Sequence, residues 1–303
     1  MRSQAIFPMA TTWAWAFLFL LAPAIAWAAD PSLEDKIAPL VKAHRGKATV
    51  ALQRLGTAEA FYFNADTPMP TASLIKVAVM VAAYREVDAG RARLNDLVSL
   101  QEGDKVPGSG ILTKHFSPGV TLPLRDAIRL MIAYSDNTAT NMVLDHIGIR
   151  TVNDTMTSMG FPNTLINAKV FKGSTTSVSP QRTKDFGLGS TTARESINLL
   201  EKIDANRAAS PSSCKEMIAH LKACESKDLF PRNLPAGTVL AHKTGAVNQV
   251  RTSVGILYLK SGPILLCVMT SENQDQRWTK ENEGEILCAR IAKLAFDHFQ
   301  KEK

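Results

Sequence analysis

Residues 71–80 read Thr-Ala-Ser-Leu-Ile-Lys-Val-Ala-Val-Met, an apolar run that places Ser73 three residues before Lys76. Side chains three residues apart lie on one face of a helix, so the stretch predicts a buried helix that opens at Ser73 with a hydroxyl beside an amine. Burial disfavours the charged amine, and a neutral lysine can take a proton from a serine near a helix N-terminus. Taken alone, the pattern also fits a serine beside a lysine whose stem covers apolar surface.

A second polar stretch interrupts helical sequence in the middle of the chain. Ser135-Asp136-Asn137 lies between two segments with helical periodicity, Leu124 to Tyr134 and Thr138 to Ile147. Asn137 could hold a substrate amide, and Ser135 could pass a proton to a leaving nitrogen. The alternative is a turn between two helices with an Asp or Asn cap.

A third stretch, His242-Lys-Thr-Gly-Ala246, ends an apolar strand pattern that begins at Val239. Lys243 supplies positive charge and Thr244 a hydrogen-bond donor. Gly245 lets a ligand approach the backbone closely, because it has no side chain. Alone, the stretch is an ordinary strand end.

Together the three stretches form the set S-x-x-K, S-D-N and K-T-G in that order. The chain therefore resembles the class A β-lactamases and the related penicillin-recognising serine hydrolases, over essentially its whole length after the first 28 residues. The resemblance implies an α+β fold in which a five-stranded antiparallel sheet and an inserted all-helical subdomain enclose the site. It also implies a small-molecule β-lactam or a D-Ala-type peptide as the substrate.

The resemblance also implies a role for each motif residue. Ser73 looks like the acylated nucleophile, Lys76 like its proton partner, and Ser135 like the proton shuttle. The expected substrate contacts are Asn137, Lys243, Thr244, Gly245 and Ala246, with the backbone N–H groups of Ser73 and Ala246 as the oxyanion hole. Arg251 resembles a second carboxylate anchor found in some members, and the alternative is a surface arginine on a strand.

The loop from Phe161 to Gly189 departs from the family pattern. It contains no glutamate, and its single carboxylate is Asp185. Family members use a loop glutamate to activate the water that hydrolyses the acyl-enzyme. The residues that the family uses for acylation are therefore all present in this chain, but the glutamate that it uses for deacylation is missing. Three hypotheses follow. The chain is a β-lactamase that uses Asp185 or Lys76 as its base, a penicillin-binding D-Ala-peptidase-like hydrolase that releases the acyl group slowly, or a non-catalytic protein that binds acyl ligands.

Helical and strand patterns are segregated along the chain, which is typical of an α+β layout. We expect the sheet subdomain to come from residues 29–70 and 237–303, and a mainly helical subdomain from residues 71–236. Residues 161–189 show no clear period and are expected to form a long loop, and a last helix is expected from Trp278 to Phe299.

The first 28 residues predict a secretory signal peptide. Arg2 precedes an apolar run from Trp13 to Ala26, which ends in the cleavage pattern Ala26-Trp27-Ala28. The rest of the chain has no run that is long and apolar enough to span a bilayer. We expect an exported monomer, periplasmic or extracellular, with no stable membrane insertion after cleavage.

The remaining composition excludes several classes. The chain has 303 residues, 45% hydrophobic and 21% charged, which is typical of a globular protein. Its formal charge of +7 is spread along the sequence, so no nucleic-acid partner is expected. Histidine and cysteine spacings predict no metal site and no cofactor. The four cysteines are Cys214, Cys224, Cys267 and Cys288; a Cys214–Cys224 disulfide and free buried thiols are both consistent with the sequence.

Overall fold

The computed structural model describes Met1 and residues 31–300. The helices are α1 (Leu33–Lys42), α2 (Lys76–Asp88), α3 (Leu112–His115), α4 (Leu124–Ala133), α5 (Asn137–Ile147), α6 (Ile149–Ser158), α7 (Gly173–Thr176), α8 (Pro180–Phe186), α9 (Ala193–Asp204), α10 (Pro211–Lys222) and α11 (Glu283–Gln300). Three 3-10 helices cover Ala72–Ile75, Glu102–Asp104 and Phe230–Asn233. The strands are β1 (Lys47–Arg54), β2 (Ala60–Phe63), β3 (Met69–Pro70), β4 (Leu97–Ser99), β5 (Thr121–Pro123), β6 (Leu165–Ile166), β7 (Gly189–Thr191), β8 (Val239–Val247), β9 (Val250–Leu259) and β10 (Gly262–Ser271).

Two early strands and three late strands form one five-stranded sheet in the order β2-β1-β10-β9-β8. Each pair is antiparallel, and Ala51 of β1 faces Cys267 of β10 across the central ladder. The predicted α+β class and five-stranded antiparallel sheet are confirmed. The order leaves β8, which carries Lys243 and Thr244, at one edge of the sheet.

The middle strand β10 is buried on both faces, which explains its unbroken apolar sequence. Ile264, Leu266 and Val268 pack in one core cluster with residues of α1 and α11. The residues between them, such as Leu265 and Cys267, pack in a second core cluster with residues of α2 and α9. Side chains alternate across a strand, so one run of ten residues serves two helical layers.

Helix α2 lies at the centre of the second core cluster. Every side chain from Lys76 to Tyr84 is buried, so the helix is enclosed on all sides, as an apolar helix in a large core should be. The prediction that this helix opens at Ser73 was wrong in one respect. Residues Ala72–Ile75 form a 3-10 turn, and the α-helix begins at Lys76.

Two other predicted elements differ from the structure. The long loop of residues 161–189 contains the short helices α7 and α8 and the strand β6, which pairs with β7. Elements of two to seven residues are too short to show a period in sequence. The last helix begins at Glu283, not Trp278, because the side-chain oxygen of Asn282 accepts hydrogen bonds from the amides of Gly284 and Glu285.

Residues 32–300 belong to one compact unit. The predicted division into sheet and helical subdomains stays a prediction. The predicted signal peptide, apart from Met1, lies outside the described residues. Within the described part of the chain, no helix is long and apolar enough to cross a membrane. All four cysteines are buried and free, so the predicted alternative of a Cys214–Cys224 disulfide is not formed.

Candidate active site

A cavity of about 1710 Å³ brings together residues that are far apart in sequence. Its walls come from the 3-10 turn before α2, the break between α4 and α5, the edge strand β8, and residues 168–188. The lining residues predicted from sequence are Ser73, Ser135, Asn137, Asp185, Lys243, Thr244, Gly245 and Ala246. Lys76 lies behind this wall and is fully buried.

Ser73 sits in the tight turn that leads into α2. Residues three apart eclipse each other in a 3-10 helix, so the turn keeps Ser73 and Lys76 on the same side. Ala72, directly before Ser73, has φ of +45°, a backbone conformation that alanine rarely adopts. Strain of this kind beside a partly exposed serine is typical of a functional position.

The amine of Lys76 is surrounded by acceptors from the α4–α5 break. Its Nζ lies 2.7 Å from the backbone oxygen of Ser135, 3.3 Å from the Ser135 hydroxyl and 2.8 Å from Oδ1 of Asn137. Burial lowers the pKa of Lys76 well below its usual range, nearby Lys243 lowers it further, and Asp136 opposes both. A neutral amine donates two hydrogen bonds and keeps one lone pair, so Lys76 can act as a base here.

Ser135 lies between the two buried lysines. Its hydroxyl oxygen accepts a hydrogen bond from Nζ of Lys243 at 3.0 Å, while Lys76 lies on its other side. Burial lowers the pKa of Lys243 to about 8, with a smaller opposing contribution from Cys224. Ser135 has φ of +52°, so its backbone is held in the left-handed region by its surroundings.

Asp136 fixes the loop in front of α5 rather than facing the cavity. Its carboxylate accepts hydrogen bonds from the amides of Ile111 and Leu112, at 2.7 and 2.9 Å, and caps α5 through the amide of Ala139. A Cβ at Gly110 would overlap the carboxylate carbon of Asp136. The turn-rich sequence at residues 107–110 therefore lets this loop close onto Asp136.

Asn137 joins the same loop to the cavity. Its amide nitrogen donates to the backbone oxygen of Pro107 at 2.9 Å, and its Oδ1 faces Lys76. An asparagine amide has two N–H groups, so one remains for a ligand. The side chain lines the cavity.

The edge strand β8 touches the turn that carries Ser73. A Cβ at Gly245 would lie 2.5 Å from the backbone oxygen of Thr71 and 2.8 Å from the backbone nitrogen of Leu74. The hydroxyl of Thr252 on β9 donates to the same oxygen of Thr71 at 2.9 Å. Only glycine permits this approach, which brings the cavity-lining residues Ser73 and Ala246 to neighbouring segments of backbone.

Arg251 does not line the cavity. The alternative of a surface arginine is wrong, since its exposed fraction is 0%. Its Nε pairs with Glu285 at 3.0 Å, and its other nitrogens donate to the backbone oxygens of Val247, Val250 and Arg277. Every nitrogen of the guanidinium therefore has a protein partner. A role as carboxylate anchor would require Arg251 to leave these partners, and that role stays a prediction.

Three carboxylates line the cavity within the described residues, and all are exposed: Asp185, Glu225 and Glu272. The carboxylate of Asp185 accepts from the amide of Gln181 at 3.0 Å within α8. Glu272 pairs with Lys47 at 2.6 Å. Residues 168–171, where the 161–189 segment first joins the wall, contribute Ala168, Lys169, Val170 and Phe171 and no carboxylate.

Sequence reasoning missed the apolar side chains of the cavity mouth. Phe171, Val247 and Trp278 are large, exposed and part of its lining. Phe171 lies against Gly108, where an added Cβ would be 3.4 Å from the phenylalanine ring. No local pattern marks these residues, because each takes its place only when distant segments meet.

Comparisons with known protein families and sequences both find β-lactamases. A family model described as "Beta-lactamase enzyme family" matches residues 32–299. A β-lactamase of Proteus vulgaris is 24% identical over 291 residues, covering 92% of each chain.

Comparison with solved structures finds proteins of similar fold. A β-lactamase from Sphaerobacter thermophilus has 30% identity and a TM-score of 0.77, covering 88% of this chain and 97% of the other. A point mutant of PBP-A, solved as an acyl-enzyme complex with penicillin G, has 25% identity and a TM-score of 0.77, covering 89% of this chain and 96% of the other.

Proposed function

This chain belongs to the β-lactamase enzyme family, and we propose that it is a serine hydrolase that opens the β-lactam ring through an acyl-enzyme on Ser73. The observation that supports this assignment is the position of the Ser135 hydroxyl between the buried amines of Lys76 and Lys243, in the cavity that Ser73 also lines. A nucleophile, a base of lowered pKa and a proton carrier are the three groups that acyl transfer to serine requires.

These positions support the following acylation step. Neutral Lys76 takes the hydroxyl proton of Ser73, and the Ser73 oxygen attacks the lactam carbonyl carbon. The backbone N–H groups of Ser73 and Ala246 stabilise the negative charge that forms on the carbonyl oxygen. The carbon–nitrogen bond then breaks, the leaving nitrogen takes a proton from the Ser135 hydroxyl, and Ser135 regains a proton from Lys76.

The substrate carboxylate binds at the end of the cavity where β8 carries Lys243 and Thr244. Lys243 has no carboxylate among its described hydrogen-bond partners, which are the Ser135 hydroxyl and the backbone oxygen of Thr244. A buried ammonium without a counter-ion favours an anionic ligand. Asn137 offers its remaining N–H group to the amide of the substrate side chain.

Hydrolysis of the acyl-enzyme needs a base that activates water, and Lys76 is the better placed of the two candidates. Its amine is buried, has a lowered pKa and lies one turn from Ser73. Asp185 is exposed and its carboxylate is engaged by Gln181. We therefore assign deacylation to Lys76, and the Asp185→Asn variant should release the acyl group at the rate of the parent.

A second candidate function is a D-Ala-peptidase-like hydrolase that β-lactams acylate and that releases them slowly. The observation that favours it is that residues 168–171 bring no carboxylate to the cavity wall, which leaves the exposed Asp185 as the only carboxylate that the 161–189 segment contributes there. The similarity to PBP-A, a mutant of which was captured as an acyl-enzyme with penicillin G, points the same way.

One experiment separates these functions. Purified protein is mixed with a chromogenic cephalosporin and hydrolysis is followed to many equivalents of product. Steady turnover supports the β-lactamase. A single stoichiometric burst, with a stable adduct in the intact mass, supports the slow enzyme. Absence of an adduct in the parent would leave a non-catalytic binding role. Ser73→Ala is the control that should form no adduct. Asp185→Asn tests whether Asp185 is the deacylation base, and Glu225→Gln and Glu272→Gln are the matched variants of the other two carboxylates that line the cavity.

We also propose that the protein is exported as a monomer after cleavage behind Ala28. The pattern Ala26-Trp27-Ala28 after an apolar run supports this site. Amino-terminal sequencing of the protein from the periplasmic fraction should begin at Ala29, and light scattering should give the monomer mass. Retention of the full leader in the membrane fraction would contradict the proposal.

A further inference from the structure

Two exposed apolar side chains line the cavity: Val247, the last residue of β8 and four residues after Lys243, and Trp278, in the segment before α11. Val247 is 50% exposed and Trp278 is 63% exposed, and both belong to the cavity lining. We name this pair the apolar shelf. Large apolar side chains left open beside a polar site are typical of a surface that a ligand covers.

The indole of Trp278 is held in place despite its exposure. Its Nε1 donates to the side-chain oxygen of Asn248 at 3.2 Å. The ring lies over the guanidinium of Arg251, with 4.6 Å between the guanidinium carbon and the ring centre. Contact with a buried cation fixes one part of the ring system, and the remaining surface is open to the cavity.

Arg251 connects both parts of the shelf to the core. It donates to the backbone oxygen of Val247 at 2.6 Å and to that of Arg277, directly before Trp278, at 2.8 Å. Glu285 neutralises it from α11. The buried arginine thus ties the β8–β9 turn to the segment before α11.

The shelf is continuous with the carboxylate end of the site. Val247 follows Thr244 by three residues on an extended strand, a separation of about 10 Å. We propose that the shelf binds a flat, conjugated substituent on the carboxylate-bearing ring of the substrate, and that Asn248 and Arg251 position Trp278 for this contact. An aromatic face prefers a flat apolar partner, which the exposed indole offers. This inference rests on the proposed function, because it places the substrate carboxylate at Lys243.

The test measures the second-order rate constant for acylation of Ser73 with two cephalosporins. One carries a dinitrostyryl group at its 3-position, and the other carries a methyl group there. Trp278→Ala should lower the rate constant for the dinitrostyryl compound about tenfold and leave that for the methyl compound within about twofold, since an aromatic contact is lost in one case only.

Three further variants keep the test specific. Trp278→Phe retains a ring and should recover most of the lost rate. Asn248→Ala removes the partner of the indole N–H and should shift the ratio of the two rate constants in the same direction as Trp278→Ala, though less. Phe116→Ala removes an exposed aromatic outside the cavity lining and should leave the ratio unchanged.

The outcomes separate the shelf from the proposed function. If Trp278→Ala loses the same rate with both cephalosporins, or loses none with either, the proposal that the apolar shelf binds the substituent is wrong. Acylation of Ser73 in the parent would still support the proposed function. If the parent forms no adduct with either compound, the proposed function fails and the shelf fails with it.

Discussion

The hydroxyl oxygen of Ser135 accepts a hydrogen bond of 3.0 Å from Nζ of Lys243, although the two residues are 108 positions apart in sequence. This contact joins the break between α4 and α5 to the edge strand β8. It leaves the serine with an ammonium on one side and the Lys76 amine on the other. A hydroxyl so placed can lose its proton to a leaving nitrogen at little electrostatic cost.

Removal of this hydroxyl should slow acylation. Ser135→Ala is expected to lower the acylation rate constant by about a hundredfold or more, the usual contribution of a positioned proton donor. Stopped-flow mixing with a chromogenic cephalosporin measures the rate. Ser135→Gly is the matched variant, because glycine tolerates the positive φ of this position, and it should be as slow as Ser135→Ala. Parent-like acylation in both would remove Ser135 from the mechanism.

The charge of Lys243 should set the alkaline limit of substrate binding. Its pKa of about 8 lies below the usual value of 10.5, so the folded protein loses this proton as pH rises through about 8. The KM for a carboxylate-bearing β-lactam should then rise, because the neutral amine no longer attracts the carboxylate. The measurement is KM between about pH 7 and about pH 9.5, which brackets this pKa. Lys243→Arg stays charged over this range, so its KM should not change with pH. A parent KM that is equally flat would refute the assignment.

The loss of acylation rate at low pH should reflect protonation of Lys76. Its pKa is lowered well below the usual range, and only the neutral amine accepts the proton of Ser73. Acylation should therefore slow as pH falls through the lowered pKa, with the rate constant at saturating substrate as the readout. Lys76→Arg holds its proton at every working pH, and it should be slow throughout without the acid limb of the parent.

The close approach at Gly245 should tolerate no side chain. In Gly245→Ala the new Cβ would meet backbone atoms of Thr71 and Leu74, so β8 must move away from the turn that carries Ser73. Displacing one oxyanion-hole donor should lower the acylation rate constant about a hundred- to a thousandfold. Gly103→Ala is the control, since a Cβ there has open space. Equal rates in the two variants would mean that the approach has no catalytic role.

The buried pair of Arg251 and Glu285 should matter for stability. Glu285→Gln leaves the buried guanidinium without a counter-ion and should cost about 3 kcal/mol in the free energy of unfolding. The exposed pair of Lys293 and Asp297 serves as the comparison, and Asp297→Asn should cost less than about 1 kcal/mol. Urea denaturation measures both. A similar small loss in the two variants would show that Arg251 does not depend on Glu285.

The sequence predicted those parts of the fold that repeat a pattern over many residues. The central helix is long enough for its apolar run to appear, and the segregated helical and strand patterns predicted the α+β class. The five-stranded antiparallel sheet was implied by the family resemblance. The prediction that the central helix opens at Ser73 failed, because residues 72–75 form a 3-10 turn. This turn follows Thr71, whose backbone oxygen contacts Gly245 and Thr252. Prediction also failed in residues 161–189, where elements are only two to seven residues long.

The sequence by itself determined which chemical groups are available: the serine and lysine one turn apart, the Ser-Asp-Asn break, the Lys-Thr-Gly stretch, and a loop without glutamate. Only the tertiary structure decided what surrounds them. Burial of Lys76 and Lys243, their meeting at Ser135, the withdrawal of Arg251 into the core and the exposure of Trp278 all depend on contacts between segments far apart in sequence. Such contacts set the pKa of an amine and the open face of a ring, because both depend on the atoms nearby in space and not on neighbours along the chain.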